Sequence, residues 1–587
     1  MSETRYEERT DSIATKLHLL QQACVAGRHD LTMSLIESLK DTVIFERQHQ
    51  PELPPPLIRA EEFFETDNLP QSWALWARGW KFCKVLELHE ETGIGRDREP
   101  VDIRLAFPDE QCVDLQRELR VARLDATSGA LHEVASQLYG LSCQAGERHC
   151  QLVFMADVPA QTRIHYLIFY GNPLAELPRY ATDLQVTGEG YGLDIDNEFY
   201  TARLSRQMGQ MESLRYKHTH GLELSAAAYY DGVGHGEPAN IDWGHDYFAS
   251  NRYQKFRLTN WAQCPNYEVV KGPLCVQVRR WGFPHSATHP LFAPSRMHID
   301  VQYTFYAGLP YFLKEGSMEM IQDFEMNYLR DDEWVIAGHP FTQTLWMDRH
   351  GVLHEGKVEE GHENDLWGVG FFNEHSSAAF IALFLQHSEE NFDGIRHCGA
   401  PAIDGSGPGL RSIWSRAATR QDAHFQAGAL IKQRNAYLLQ PYKGPAQVQE
   451  IRQKMLSPLQ MCPGDLPAAV CAAEGQLARP GETAENAAIK ELIWDALHEV
   501  VDEQFMEVGA NIVDMGYVYD VRVEDDLVWV LITMPHRGRP RHEYIGIPLR
   551  QRLLQLDGVR EVVVDFTWEP AWDVARLTAR GREILGL

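Results

Sequence analysis

The stretch Ile299-Asp300-Val301-Gln302-Tyr303-Thr304-Phe305-Tyr306 alternates bulky apolar and polar residues almost without a break. The run Leu274-Cys275-Val276-Gln277-Val278-Arg279-Arg280-Trp281 before it keeps the same rhythm. A period of two sends alternate side chains to opposite faces of a strand, so both runs read as β-strands with one buried face. Phe324-Glu325-Met326-Asn327-Tyr328 and the apolar run Ala378-Ala379-Phe380-Ile381-Ala382-Leu383-Phe384-Leu385 extend the reading. Together they predict a large antiparallel β domain over 180–445.

That domain is also where reactive side chains gather. Fourteen of the 25 histidines lie between 218 and 397, about twice what even scatter would place there, and seven of them fall between Tyr216 and Asp300. His218 and His220, two apart, share a face if their segment is a strand, which brings two imidazoles within reach of one metal. His235 and His245 complete the metal-ligating set, with Asp242, His298 and Glu223 as further sources of a third ligand. Imidazoles with a carboxylate suit Zn, Mn or Fe, and ligand hardness does not choose among them. A metal-free reading uses neighbouring residues: proton abstraction beside a carbonyl needs a base and a cation for the developing enolate. Tyr247, His298 and Arg296 fill those catalytic roles, and Arg296 and His298 are again two apart. Trp243, Tyr247, Trp261, Trp281 and Tyr303 serve either as core or as stacking platforms for a ring. Glu374-His375 and the acidic loop Glu359 to Asp365 read as solvated turns.

The opening of this domain carries a resemblance. Tyr191-Gly192-Leu193-Asp194-Ile195-Asp196-Asn197-Glu198-Phe199-Tyr200 leads into Thr201-Ala202-Arg203-Leu204, and then into Gly209-Gln210-Met211-Glu212-Ser213-Leu214. An Asn before an edge strand, a turn, then Gly-x-x-x-Ser-Leu resembles the first strands of the galactose-mutarotase-like supersandwich of carbohydrate-processing hydrolases, lyases and epimerases. The resemblance implies a sandwich fold and a small polyol, glycoside or ring substrate. It brings no catalytic motif with it.

Upstream, short alternating runs follow one another between 57 and 175: Val85 to Leu88, Val101 to Leu105, Leu119 to Val121, Gln151 to Met155 and Ile164 to Phe169. Strands at that spacing, parted by Gly, Asp and Pro turns, predict a small β-barrel or sandwich. With Asp157-Val158-Pro159-Ala160 and Tyr170-Gly171-Asn172-Pro173 the order resembles accessory β modules at the front of some polysaccharide lyases. Residues 1–50 carry apolar positions at helical spacing around Gly27 and Asp30, a predicted helical hairpin. Pro51, Pro54, Pro55 and Pro56 then form a stiff spacer.

Downstream, Pro441 to Glu482 holds ten prolines and glycines, and 446–483 reads as a linker with a short helix near 447–456. Asn486 to Gln504 is predicted as an amphipathic helix opening an α/β domain over 484–587. Gly509-Ala510-Asn511-Ile512-Val513-Asp514-Met515-Gly516-Tyr517-Val518-Tyr519, the strand Leu527 to Pro535 with its Thr533-Met534-Pro535 end, Gly558 to Asp565, and Trp568-Glu569-Pro570-Ala571-Trp572 follow in order. This succession resembles the metal-sulfur cluster assembly family, which includes the phenylacetate-degradation protein D group. The resemblance implies its α/β fold. Members place a cysteine just after the Thr-x-Pro strand end; this chain reads His536-Arg537-Gly538-Arg539-Pro540-Arg541-His542 there and has no cysteine from 472 to 587. Cluster transfer by a thiolate does not carry over. His536 and His542 read as surface residues of an Arg-rich loop.

Composition bounds the rest. At 587 residues the chain exceeds one core, since domains run roughly 100 to 200 residues. A formal charge of −28 opposes nucleic acid as a partner, which needs a basic stripe. Ten scattered cysteines form no C-x-x-C pair and read as reduced thiols. The acidic N-terminus has no signal-peptide core, and no apolar run is long enough for a membrane helix, so a cytoplasmic location is expected. The sequence thus predicts a multidomain, mainly β protein with N-terminal helices and a C-terminal α/β domain. Two functional readings stand. One is an enzyme of lyase or hydrolase type acting on a small-molecule substrate, with or without a divalent metal at the His cluster. The other is a non-catalytic maturation or scaffold protein working through the C-terminal domain.

Overall fold

The computed structural model describes residues 76–207, 209–217, 264–282, 297–321, 323–337, 341–391, 397–404, 411–419, 423–465, 484–502, 505–535 and 542–587, with shorter pieces elsewhere. The proline spacer, most of the predicted helical hairpin and 466–483 lie outside the described residues. The described residues divide into two compact units, one drawn from 51–180 and 459–587, the other from 181–458.

In the first unit the runs between 57 and 175 form two facing sheets, an open sandwich. One sheet joins Leu57–Ile58, Arg96–Pro108, Glu147–Val158 and Ser136–Gln144. The other joins Phe63–Glu65, Phe82–His89, Arg163–Tyr170, Leu119–Leu124 and Leu131–Val134. Ile103, Leu105, Leu152 and Phe154 meet Leu86, Leu88, Val121 and Ile168 between them. Trp73, Trp76 and Trp80 cover the far face of the second sheet against Val85, Leu167 and Phe169. Both faces being covered, Tyr166 to Tyr170 are buried at five successive positions, which is why that run is apolar instead of alternating. Within the stretch read as a linker, Gln460–Pro463 adds an outer strand to Phe82–His89.

The C-terminal residues of this unit form a helix, Ala484–Leu497, against a three-stranded sheet. Val518–Glu524 and Leu527–Ile532 make a hairpin whose two-residue turn puts Asp525 at positive φ, a conformation Asp tolerates. Glu561–Phe566 lies parallel to Leu527–Ile532 and is reached through the helix Ile547–Leu553. The first helix stops at Leu497, short of the predicted Gln504, because the chain turns there: Val501 bridges Asn511, and Ile512 N–H donates to the Val500 carbonyl.

The second unit is built from nine-, eight- and five-stranded sheets. The opening strands Gln185–Glu189, Gly192–Asp196, Tyr200–Leu204 and Met211–Tyr216 form an antiparallel meander. The nine-stranded sheet places Cys275–Gly282, Met297–Tyr306, Tyr311–Met320 and Leu430–Leu438 side by side. One face carries Val278, Val301, Tyr303 and Phe312 into the main core, which also takes Trp334 and Trp414 from the eight-stranded sheet. At one end of its opposite face Leu313, Leu345, Leu383 and Leu438 are covered by the helix Pro445–Leu456 through Val448. The other end of that opposite face is polar. Among the described residues no helix is long and apolar enough to cross a membrane.

Candidate functional site

The polar end of the nine-stranded sheet is set by register. Cross-strand partners share a face, so Arg279, Gln302, Glu315 and Arg434 form one row, and Trp281, Asp300, Ser317 and Lys432 the next. His298, two residues before Asp300, stands on the same face opposite Glu319. Arg279 grips Asp300 at two points, Nε to Oδ1 at 3.0 Å and Nη2 to Oδ2 at 2.6 Å. Its guanidinium also lies 5.1 Å from the centre of the Trp281 ring. His298 is fully buried, and burial, reinforced by Arg279 and opposed by Asp300, pushes its imidazole down to about 4. At neutral pH it is therefore an uncharged ring beside a closed ion pair, able to accept or relay a hydrogen bond.

Of the catalytic and metal-ligating candidates named from sequence, His298 alone has a described side chain. Tyr247 opens the strand Tyr247–Ala249 in the eight-stranded sheet, a different sheet from His298. His218, His220, His235, His245, Asp242 and Arg296 lie outside the described residues. Trp281 is partly buried and Tyr303 is core. Asp300 and Arg279 are the partners of His298, and neither stands out as a site residue in the sequence. Asp300 was findable as the residue two after His298; Arg279 comes from another strand and needed the register. Among the described residues no three His, Cys, Asp or Glu side chains converge as a metal site.

The C-terminal domain holds its motif differently. Asn511 Oδ1 accepts the N–H groups of Val513 and Asp514, and its Nδ2 donates to Asp514 Oδ2 at 2.6 Å. Thr578 donates to Asp514 Oδ1 at 2.8 Å and accepts from Gly581 N–H, capping the helix Ala579–Leu585. Gly516 has φ of 64°, and a Cβ there would lie 2.4 Å from the Arg576 carbonyl oxygen, so a side chain is excluded twice over. Trp572 Nε1 donates to Met515 O, and Tyr519 Oη to Pro570 O. These residues tie the C-terminal segment to the sheet. The parallel strands end together, Thr567 N–H donating to Ile532 O, and their carboxyl ends lead to the buried Thr533 and to Trp568. Such strand ends are where open α/β sheets receive ligands. With no cysteine from 472 onward, no thiolate of this domain can ligate an iron–sulfur cluster.

Fold and site define a β-sandwich protein carrying an α/β domain of the cluster-assembly type. Residues 490–565 match the iron-sulfur cluster assembly protein family. Over 101 residues, 17% of its length, the chain is 33% identical to the Fe-S protein maturation auxiliary factor YitW of Bacillus subtilis (strain 168) and covers 96% of it. Through this domain the chain belongs to that family. In fold, 77% of the chain resembles an alpha-mannosidase from Enterococcus faecalis V583 at 12% identity and a TM-score of 0.36, spanning about half (51%) of that protein. A putative aldose 1-epimerase from Klebsiella pneumoniae aligns with 47% of the chain and is covered to 87% of its own length, at 11% identity and a TM-score of 0.28.

Proposed function

We propose that this protein is an auxiliary factor of iron–sulfur protein maturation that works by protein contact and not by carrying the cluster on its C-terminal domain. The observation behind this reading is the pairing of a family domain, its Asn511–Asp514–Thr578 anchor formed, with a sequence that has no thiolate from residue 472 onward. Iron and sulfide clusters favour soft thiolate ligands, so a domain without one supports assembly by holding a client or a partner protein. The test is genetic and biochemical. In cells lacking the gene, a cluster-dependent dehydratase should lose iron and activity while its polypeptide level stays constant, and the full chain should restore both. Unchanged cluster occupancy across several clients would sink the proposal.

A second reading rests on His298, Asp300, Arg279 and Trp281 sharing one sheet face. It makes the second unit an enzyme of lyase or hydrolase type for a small polyol, glycoside or ring compound, with neutral His298 as base. If a divalent metal serves it, Zn, Mn or Fe should copurify stoichiometrically and be lost in the His218→Ala/His220→Ala variant. No new unsaturated or hydrolysed product across a uronate and glycoside panel would count against this reading.

A further inference from the structure

We propose that the β-sandwich of residues 51–180 is a built-in binding partner of the C-terminal domain, holding it in one fixed orientation so that the domain acts in register with the sandwich instead of swinging on a tether. The contacts are reciprocal. From the sandwich, the buried Arg148 donates Nη1 to the Ala575 carbonyl and Nη2 to the Leu577 carbonyl, both at 2.8 Å. From the domain, the buried Arg576 returns Nη2 to Asp114 at 2.9 Å and Nη1 to Gln116 at 2.7 Å, its guanidinium 3.8 Å from the centre of the Tyr519 ring. Each arginine satisfies the other side's acceptors with a forked, two-point geometry that tolerates little rotation.

A second clasp sits on the strand Val518–Glu524. Glu176 accepts from Lys490 at 2.5 Å and from Arg522 at 3.2 Å. Arg522 also donates to the Leu177 carbonyl, and Leu177 N–H donates to Asp520, both at 2.8 Å. Leu174 adds apolar contact by packing against the domain's own core. Backbone carbonyls cannot be repositioned as side chains can, so Arg148 and Arg522 fix register as well as proximity. The Bacillus subtilis relative is accounted for over 96% of its length by 101 residues of this chain, so nothing in it corresponds to the sandwich. The clasp is a property this chain has in addition to the family fold, and it stands whether or not the maturation reading holds.

The experiment separates covalent tethering from docking. A protease recognition sequence is inserted between residues 470 and 480 of the full chain, the purified protein is cut, and size-exclusion chromatography with intact mass follows the C-terminal fragment. The proposal expects the fragment to co-elute with the remainder, and the cut Arg148→Met/Arg576→Met variant to release it at least tenfold faster. If that variant does not fold, Glu176→Lys, which sets three cations together at a half-exposed position, should release the fragment likewise. Release of the fragment from the cut wild type, or equal retention in the variants, overturns it.

Discussion

Arg279 and Asp300 face each other across neighbouring strands of the nine-stranded sheet in a two-point ion pair, at 3.0 and 2.6 Å, with both side chains nearly buried. Removing one partner leaves the other charge desolvated and alone, which costs about 3 kcal/mol or more, whereas replacing both with apolar groups costs less. Asp300→Ala should therefore lower the urea midpoint more than Arg279→Met/Asp300→Leu does. A double variant worse than the sum of its singles would show that the pair's role is not mutual neutralisation.

The imidazole of His298 gives a pH signature. Burial lowers its pKa from the ordinary imidazole value of 6.5 to about 4 in the folded chain, so the folded state favours the neutral ring. That preference stabilises fully above pH 6.5 and is lost as pH falls toward 4, a change on the order of 3 kcal/mol for a shift of this size. Unfolding by urea at pH 7, 6, 5 and 4 should show a decline that His298→Phe flattens. Parallel declines in the two proteins would contradict the assignment.

A comparable effect of opposite chemistry is expected at Glu90. Burial would raise this carboxyl, but the Thr92 hydroxyl and the N–H groups of Gln161, Thr92 and Gly93 outweigh it and bring it to about 2. Its stabilisation is present above pH 4.5 and lost as pH falls through 4.5 toward 2. Glu90→Ala orphans those N–H groups and should cost about 3 kcal/mol at pH 7. Glu90→Gln should be milder and should remove part of the acid sensitivity in thermal scans below pH 4.5.

In the C-terminal domain, Gly516 and Gly581 are space-limited positions. A Cβ at Gly581 would lie 2.1 Å from the Asp514 carbonyl oxygen, and one at Gly516 would meet Arg576 at positive φ. Gly516→Ala and Gly581→Ala should each destabilise by about 2 kcal/mol or more. Hydrogen exchange should show the loss in 511–519 and 574–585 before the central sheets. Alanine at Gly428, which has open space but a φ of 85°, is the comparison for backbone strain alone.

Much of the fold was legible because it is written in local periodicity. The two-residue alternation of Ile299 to Tyr306 appears as Met297–Tyr306, and the strand expected over Leu527 to Pro535 forms as Leu527–Ile532, ending before Thr533. The site was legible to a smaller degree. His298 and Asp300 are two apart in sequence, so their common face follows from the strand itself, whereas Arg279 joins them through a register that no local pattern encodes.

The sequence by itself determined the mainly β character, the α/β family of residues 484–587 and the lack of a cysteine there, because side-chain periodicity, turn chemistry and residue identity act over a few positions. Tertiary structure alone decided which charges meet. Arg148 and Ala575 are 427 residues apart, as Arg576 and Asp114 are 462, and only the packing of the sandwich against the domain gives those arginines their acceptors. The same holds for neutral His298: its side chain is ordinary in sequence, and it is burial beside the Arg279–Asp300 pair that sets its proton affinity.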